Sequence, residues 1–133
     1  MKNVMNMRVI YFMLCLLLVA CSKDDTPETS GEFELKSISI GDKQDQNSFD
    51  NVAPDADIVL AFTDAVDEAS ARANIALKQN DQAVACNFSL SAPDKLSLAP
   101  TGGFKSFSSY KLVINPGVKS TSGVLLSNGK VYE

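Results

Sequence analysis

From Phe33 to the end of the chain, apolar and polar residues alternate in short runs cut by turn residues, and this period of two decides the fold class. Successive strand side chains point to opposite faces, whereas an amphipathic helix needs a repeat near 3.6. Phe33 to Ile40 is rich in apolar and β-branched residues and stops at Gly41-Asp42. Ile58, Leu60 and Phe62 alternate with Val59 and Ala61, as in a strand buried on at least one face. Ile75 and Leu77 make a short third segment. Val84, Cys86, Phe88 and Leu90 alternate cleanly with Ala85, Asn87 and Ser89 and read as one strand. Leu96 with Leu98, then Tyr110, Leu112 and Ile114, follow the same rule, and a weaker last segment spans Gly123 to Tyr132.

The punctuation agrees. Ser91-Ala92-Pro93-Asp94 offers a proline for a tight turn between antiparallel strands, and Thr101-Gly102-Gly103 and Asn115-Pro116-Gly117 are further turn signals. One stretch, Asp67 to Ala73, reads as a turn or two of helix capped by Asp67 or Ser70. About seven short strands with turns between them predict an all-β sandwich with one short helical turn after the second strand.

Composition then bounds the chemistry. The chain has 133 residues, enough for one ordinary domain, with no His and no Trp. Without His there is no imidazole base, no Ser-His or Cys-His nucleophile pair and no His-ligated metal, so the expectation is a protein that is not an enzyme. Twelve basic residues against sixteen acidic ones, a net charge of -4, argue against nucleic acid as a partner.

The N-terminus is a separate segment. Lys2 and Arg8 precede an unbroken apolar run of 12 residues from Val9 to Ala20. A membrane-spanning helix needs about 20, so residues 1–20 read as a signal peptide. Its removal would leave ten basic residues against sixteen acidic ones, a net of -6. The run ends in Leu18-Val19-Ala20-Cys21, which resembles a bacterial lipobox. That resemblance implies cleavage before Cys21, lipid on its sulfur and a partner in the membrane. Two or more acyl chains anchor stably where one does not. Residues 21–32, Ser22 to Glu32 after the cysteine, are polar, acidic and broken by Pro27 and Gly31, as in a disordered tether. Asp24-Asp25 close behind the cysteine resembles the surface-export signal of lipoproteins in Bacteroidota, which implies the outer membrane with the domain facing outside.

Residues 33–133 carry a second resemblance. Val52-Ala53-Pro54 with Ile58 to Asp67, then Asn74 to Leu77, Leu96 to Pro100, Tyr110 to Ile114, and Gly117 to Ser120 leading to Gly123, resemble the SbsA-type bacterial Ig-like domain in order and spacing, over about 34–132. The resemblance implies an Ig-like β-sandwich that serves as a spacer or adhesion module, with no catalytic residue to carry over. Phe62 would fill the core, and Tyr110 resembles the tyrosine that starts a late strand in Ig sandwiches and bonds back to a loop. The chain departs from the family by stopping at Lys130-Val131-Tyr132-Glu133, so the last strand is short or the chain is one piece of a longer protein.

Candidate sites are few. Cys15 would leave with the signal and Cys21 would carry lipid, leaving Cys86 unpaired and, by its alternation, in the core as a small hydrophobe. Asp42, Asp45, Asp50, Asp55, Asp57, Asp64, Asp67 and Glu68 fall in or beside loops and keep calcium open as a cofactor, although their spacing fits no EF-hand. Of the aromatic residues, Phe33, Phe62, Phe88 and Tyr110 read as buried. Phe49, Phe104, Phe107 and Tyr132 remain, and the first three are the ligand-binding candidates for a glycan or a surface protein. The leading expectation is a non-catalytic lipid-anchored spacer or adhesion module. Its alternatives are a glycan- or protein-binding lipoprotein and the N-terminal accessory domain of a longer surface enzyme.

Overall fold

A computed structural model of the chain describes residues 31–133. Cys15, Cys21, the signal peptide and nearly all of the tether lie outside them. The described chain forms β1 (Leu35–Ile40), β2 (Lys43–Gln44), β3 (Ile58–Phe62), helix α1 (Glu68–Asn74), β4 (Ile75–Gln79), β5 (Gln82–Val84), β6 (Cys86–Ala92), β7 (Lys95–Pro100), β8 (Lys111–Ile114) and β9 (Lys130–Tyr132). The strands build two antiparallel sheets, ordered β2-β1-β3-β7-β6 and β5-β4-β8-β9. This is the all-β sandwich expected, with nine strands in place of seven because two- and three-residue strands carry no readable period.

The sheets bury their facing rows. Ile38, Ile40, Ile58, Leu60, Phe62, Leu96 and Leu98 on one side meet Ile75, Leu77, Leu112 and Ile114 on the other, all at most 8% exposed. At one end the Phe33 and Phe62 rings stack with centroids 5.2 Å apart. Phe33 is held there outside any strand, by a bridge to Leu126 and by Ser127 N–H donating to its carbonyl. The chain just before β1 is fixed to the same end. Thr63 Oγ1 accepts from Glu34 N–H and donates to the Glu32 carbonyl.

The helix begins as the sequence suggests. Asp67 is the N-cap, its carboxylate accepting from Ser70 N–H at 2.7 Å. The β6–β7 hairpin turns at Pro93-Asp94, with Ala92 paired to Lys95.

Several expectations change. The run from Val84 to Leu90 is two strands, because the chain leaves one sheet at Ala85 and joins the other. Val84 pairs with Leu77, and Cys86 pairs with Pro100. Phe88 is half-buried and Leu90 is 41% exposed, since β6 is an edge strand, and Tyr110, in the loop just before β8, is half-buried too. Of the last segment, only Lys130–Tyr132 is a strand. Before it, Leu125 and Leu126 make isolated bridges to Lys119 and Phe33.

Phe62→Ala is expected to lower the free energy of unfolding by about 3–5 kcal/mol in urea titrations. Leu90→Ser should change it by less than about 0.5 kcal/mol. Similar losses for both would contradict the layer assignment.

Candidate functional site

Strand register sets what meets at the other end of the sandwich. Ile40 ends β1 opposite Ile58 at the start of β3, and Leu112 pairs with Tyr132. The loops after β1, β4 and β7 leave from this end and surround an open groove of about 960 Å³. Its floor is the core edge at Ile40, Ile58, Leu77 and Leu112, and Phe49, Phe104, Phe107, Tyr110 and Tyr132 line it. The three sequence-chosen candidates, Phe49, Phe104 and Phe107, therefore share one groove, although more than fifty residues separate the first from the others. Tyr110 and Tyr132 complete it. Sequence reasoning gave Tyr110 a structural role and left Tyr132 unburied in a weak terminal strand outside the candidate set, because neither position says which loops will face it.

Each wall has a local cause. Gly103 adopts φ +72° and sits so close to Pro54 that a Cβ there would lie 2.6 Å from its carbonyl oxygen, which only glycine avoids. That approach lets Phe104 N–H donate to the Pro54 carbonyl at 2.9 Å. The Tyr110 hydroxyl accepts from Lys105 N–H at 2.9 Å, and its ring meets Phe104 edge-on at 5.1 Å. The tyrosine thus bonds back to its own loop, as its resemblance implies, and in doing so fixes Phe104. Phe49 is placed by its N–H, which donates to the Glu133 carbonyl at 3.1 Å. Phe107 stands at the loop tip, fully exposed, with φ +56°.

The five non-glycine residues of positive φ among the described residues are Asp45, Asn51, Asn80, Asp81 and Phe107; the last four line the groove, whereas Asp45 follows β2 beside Ile38. Asn and Asp tolerate the left-handed region through local hydrogen bonds, and Asn80-Asp81 form the two-residue turn between β4 and β5. Phe107 has no such excuse. A bulky residue held there is strained, with its ring in solvent.

The rim is polar and balanced in charge. Lys78, Lys105 and Lys111 face Asp50, Asp81 and Glu133, with Lys111 and Glu133 paired at 3.1 Å between exposed side chains. Serines 48, 106, 108 and 109 and Asn51 and Asn80 add donors and acceptors. Such a lining can stack against a flat face and hydrogen-bond around it.

The acidic candidates do not assemble. Among the described residues no three Asp, Glu, Cys or His side chains come together as a metal site. Several of these carboxylates serve the backbone instead. Asp45 accepts from Ile38 N–H at 3.0 Å while its own N–H donates to the Ile38 carbonyl, Asp64 accepts from Ala65 N–H, and Asp67 caps α1.

Cys86 is unpaired and only half-buried, which moves it from the core centre to the margin, since β6 lies at the sheet edge. Burial nevertheless pushes its thiol pKa up. Tyr132 is raised as well, first by burial and then by the negative charge of Asp45. Both groups are neutral when protonated, so the stability they support is present below the ordinary values of 9.0 and 10.0 and is lost as pH rises through the raised ones. Thiol labelling of Cys86 at pH 8 is expected to be much slower in the folded than in the urea-unfolded protein, and unfolding titrations should show stability declining above pH 9.0. Equal labelling rates would contradict the burial.

No curated protein matches the chain. Among solved structures, it is similar to the crystal structure of the S-layer protein rSbsC(31-844), with 15% identity and a TM-score of 0.49. That likeness covers 75% of this chain and 13% of the S-layer protein. The family model described as "Bacterial Ig-like domain" matches residues 34–132, nearly the whole sandwich, and the chain belongs to that family.

Proposed function

We propose that the protein is a non-catalytic cell-surface lipoprotein module, an Ig-like spacer or adhesion domain held in the outer membrane through Cys21. One observation carries the reading. A bacterial Ig-like sandwich follows a lipobox-like cysteine and a polar tether, and the end of that tether is fixed at the Phe62 end, opposite the groove. A domain so tied presents its aromatic groove away from the anchor. Cys21→Ser is expected to shift the protein from the membrane fraction to the soluble one, and protease added to intact cells should degrade the wild type. Retention of the variant in membranes would remove the anchor, and full protection from protease would remove the surface placement.

A second reading is favoured by the convergence of Phe49, Phe104 and Phe107 on one groove. On this reading the domain captures a glycan or a protein there. The aromatic faces stack against the ligand, and the serine and asparagine rim supplies hydrogen bonds. On glycan arrays or affinity gels, Phe104→Ala and Phe107→Ala should each weaken retention by about 1 kcal/mol or more. Unchanged retention of both variants would clear the groove of this role.

A further inference from the structure

Sheets expose unpaired backbone at their edges, and this sandwich has four edge strands. Three are two or three residues long: β2, β5 and β9. The fourth, β6, runs for seven residues, Cys86-Asn87-Phe88-Ser89-Leu90-Ser91-Ala92, with no charge and no proline. A long uncharged edge is a template for another strand. Its free groups can be assigned by alternation. The Ala85 carbonyl accepts from Thr101 N–H beside β7, so the groups of Asn87 and Ser89 face β7, and those of Cys86, Phe88 and Leu90 face outward. The Phe88 carbonyl confirms this, because its partner comes from outside the sheet.

That partner is Arg72 on α1. One guanidinium nitrogen donates to the Phe88 carbonyl at 2.7 Å, and the group lies over the Phe88 ring, 5.3 Å from its centroid. Glu68, one helical turn earlier, takes two further hydrogen bonds from the same guanidinium and fixes its direction. The side chain therefore fills the place where the amide of an added strand would have to dock.

We propose that Arg72 is the guard of the β6 edge, and that without it β6 pairs antiparallel with β6 of a second copy of this chain. The occupant follows from the strand itself. A two-fold axis through Ser89 sets Phe88 of each copy opposite Leu90 of the other, both with outward-facing groups, which forms two hydrogen-bonded pairs. The same register buries the exposed Leu90 beside an aromatic ring and, within the two strands, brings no like charges together. Ser89, exposed and opposite its own copy, occupies the closer, non-hydrogen-bonded pair. This inference is independent of the groove and of the lipid anchor.

Cysteine trapping in whole-cell lysates carrying the full chain tests it. Arg72→Ala with Ser89→Cys is expected to form at least about tenfold more disulfide-linked dimer under mild oxidation than Ser89→Cys alone. Arg72→Ala with Ser89 intact measures the background from Cys86. Equal trapping with and without Arg72 overturns the guard. A mixed disulfide with another protein in place of the dimer overturns the occupant. Protease resistance reports whether each variant is folded. Should Arg72→Ala fail to fold, Arg72→Gln keeps part of the stem over Phe88 while removing the charged fork, and the same comparison decides.

Discussion

The apolar seam between the two sheets is the constraint on which the rest of the molecule depends. Each sheet can satisfy its backbone alone, but neither can keep its Ile, Leu and Phe row in water. Leu60, Leu96 and Leu98 from one sheet and Leu77, Leu112 and Ile114 from the other are all at most 3% exposed. Because side chains alternate strictly, a slip of one residue in any strand would turn its row outward. The seam therefore fixes register, and register fixes everything placed at the two ends.

Those ends differ in kind. At one, Phe33 stacks on Phe62, Thr63 holds Glu32 and Glu34, and Asp67 caps α1, and the strands shift register at Leu35/Ser37 and Leu90/Ala92. At the other, four non-glycine residues take positive φ, Gly103 packs against the Pro54 carbonyl, and Phe107 stands in solvent. Strain collects where the packed seam can hold it.

Much of this was legible in the sequence, for reasons that mark the limits of such reading. The Ile58–Phe62 alternation, the proline of the β6–β7 turn and the cap at Asp67, one of two residues the sequence offered, are local patterns that survive folding unchanged, and the back-bonding of Tyr110 is what the family resemblance implied. The break at Ala85 was not legible. The period of two runs through it without interruption, and a period says which face a residue takes but not which sheet pairs with it. The same gap explains Leu90, whose alternation promised burial that an edge strand cannot supply. For the groove, residue type pointed to Phe49, Phe104 and Phe107. Only the register of distant strands joins them, and with them Tyr132, which residue type had left unburied but not placed in a site.

The four edges complete the physical account. A barrel would close its sheet and have none, whereas a sandwich must manage each separately. Shortness deals with β2, β5 and β9, since two or three residues give an incoming strand little to grip. β6 cannot be shortened in the same way. Its pairing with β7 runs from Cys86–Pro100 to Ala92–Lys95, and it supplies the strand that ties the β5 crossover into the larger sheet. The remaining means is a side chain from outside the sheet, and α1 is placed to provide one. Glu68 and Arg72 lie four residues apart on its surface, with Arg72 reaching the Phe88 carbonyl. A helix of seven residues adds one buried side chain, Ala71, to the core. Its larger contribution is the arginine it holds across the edge of β6.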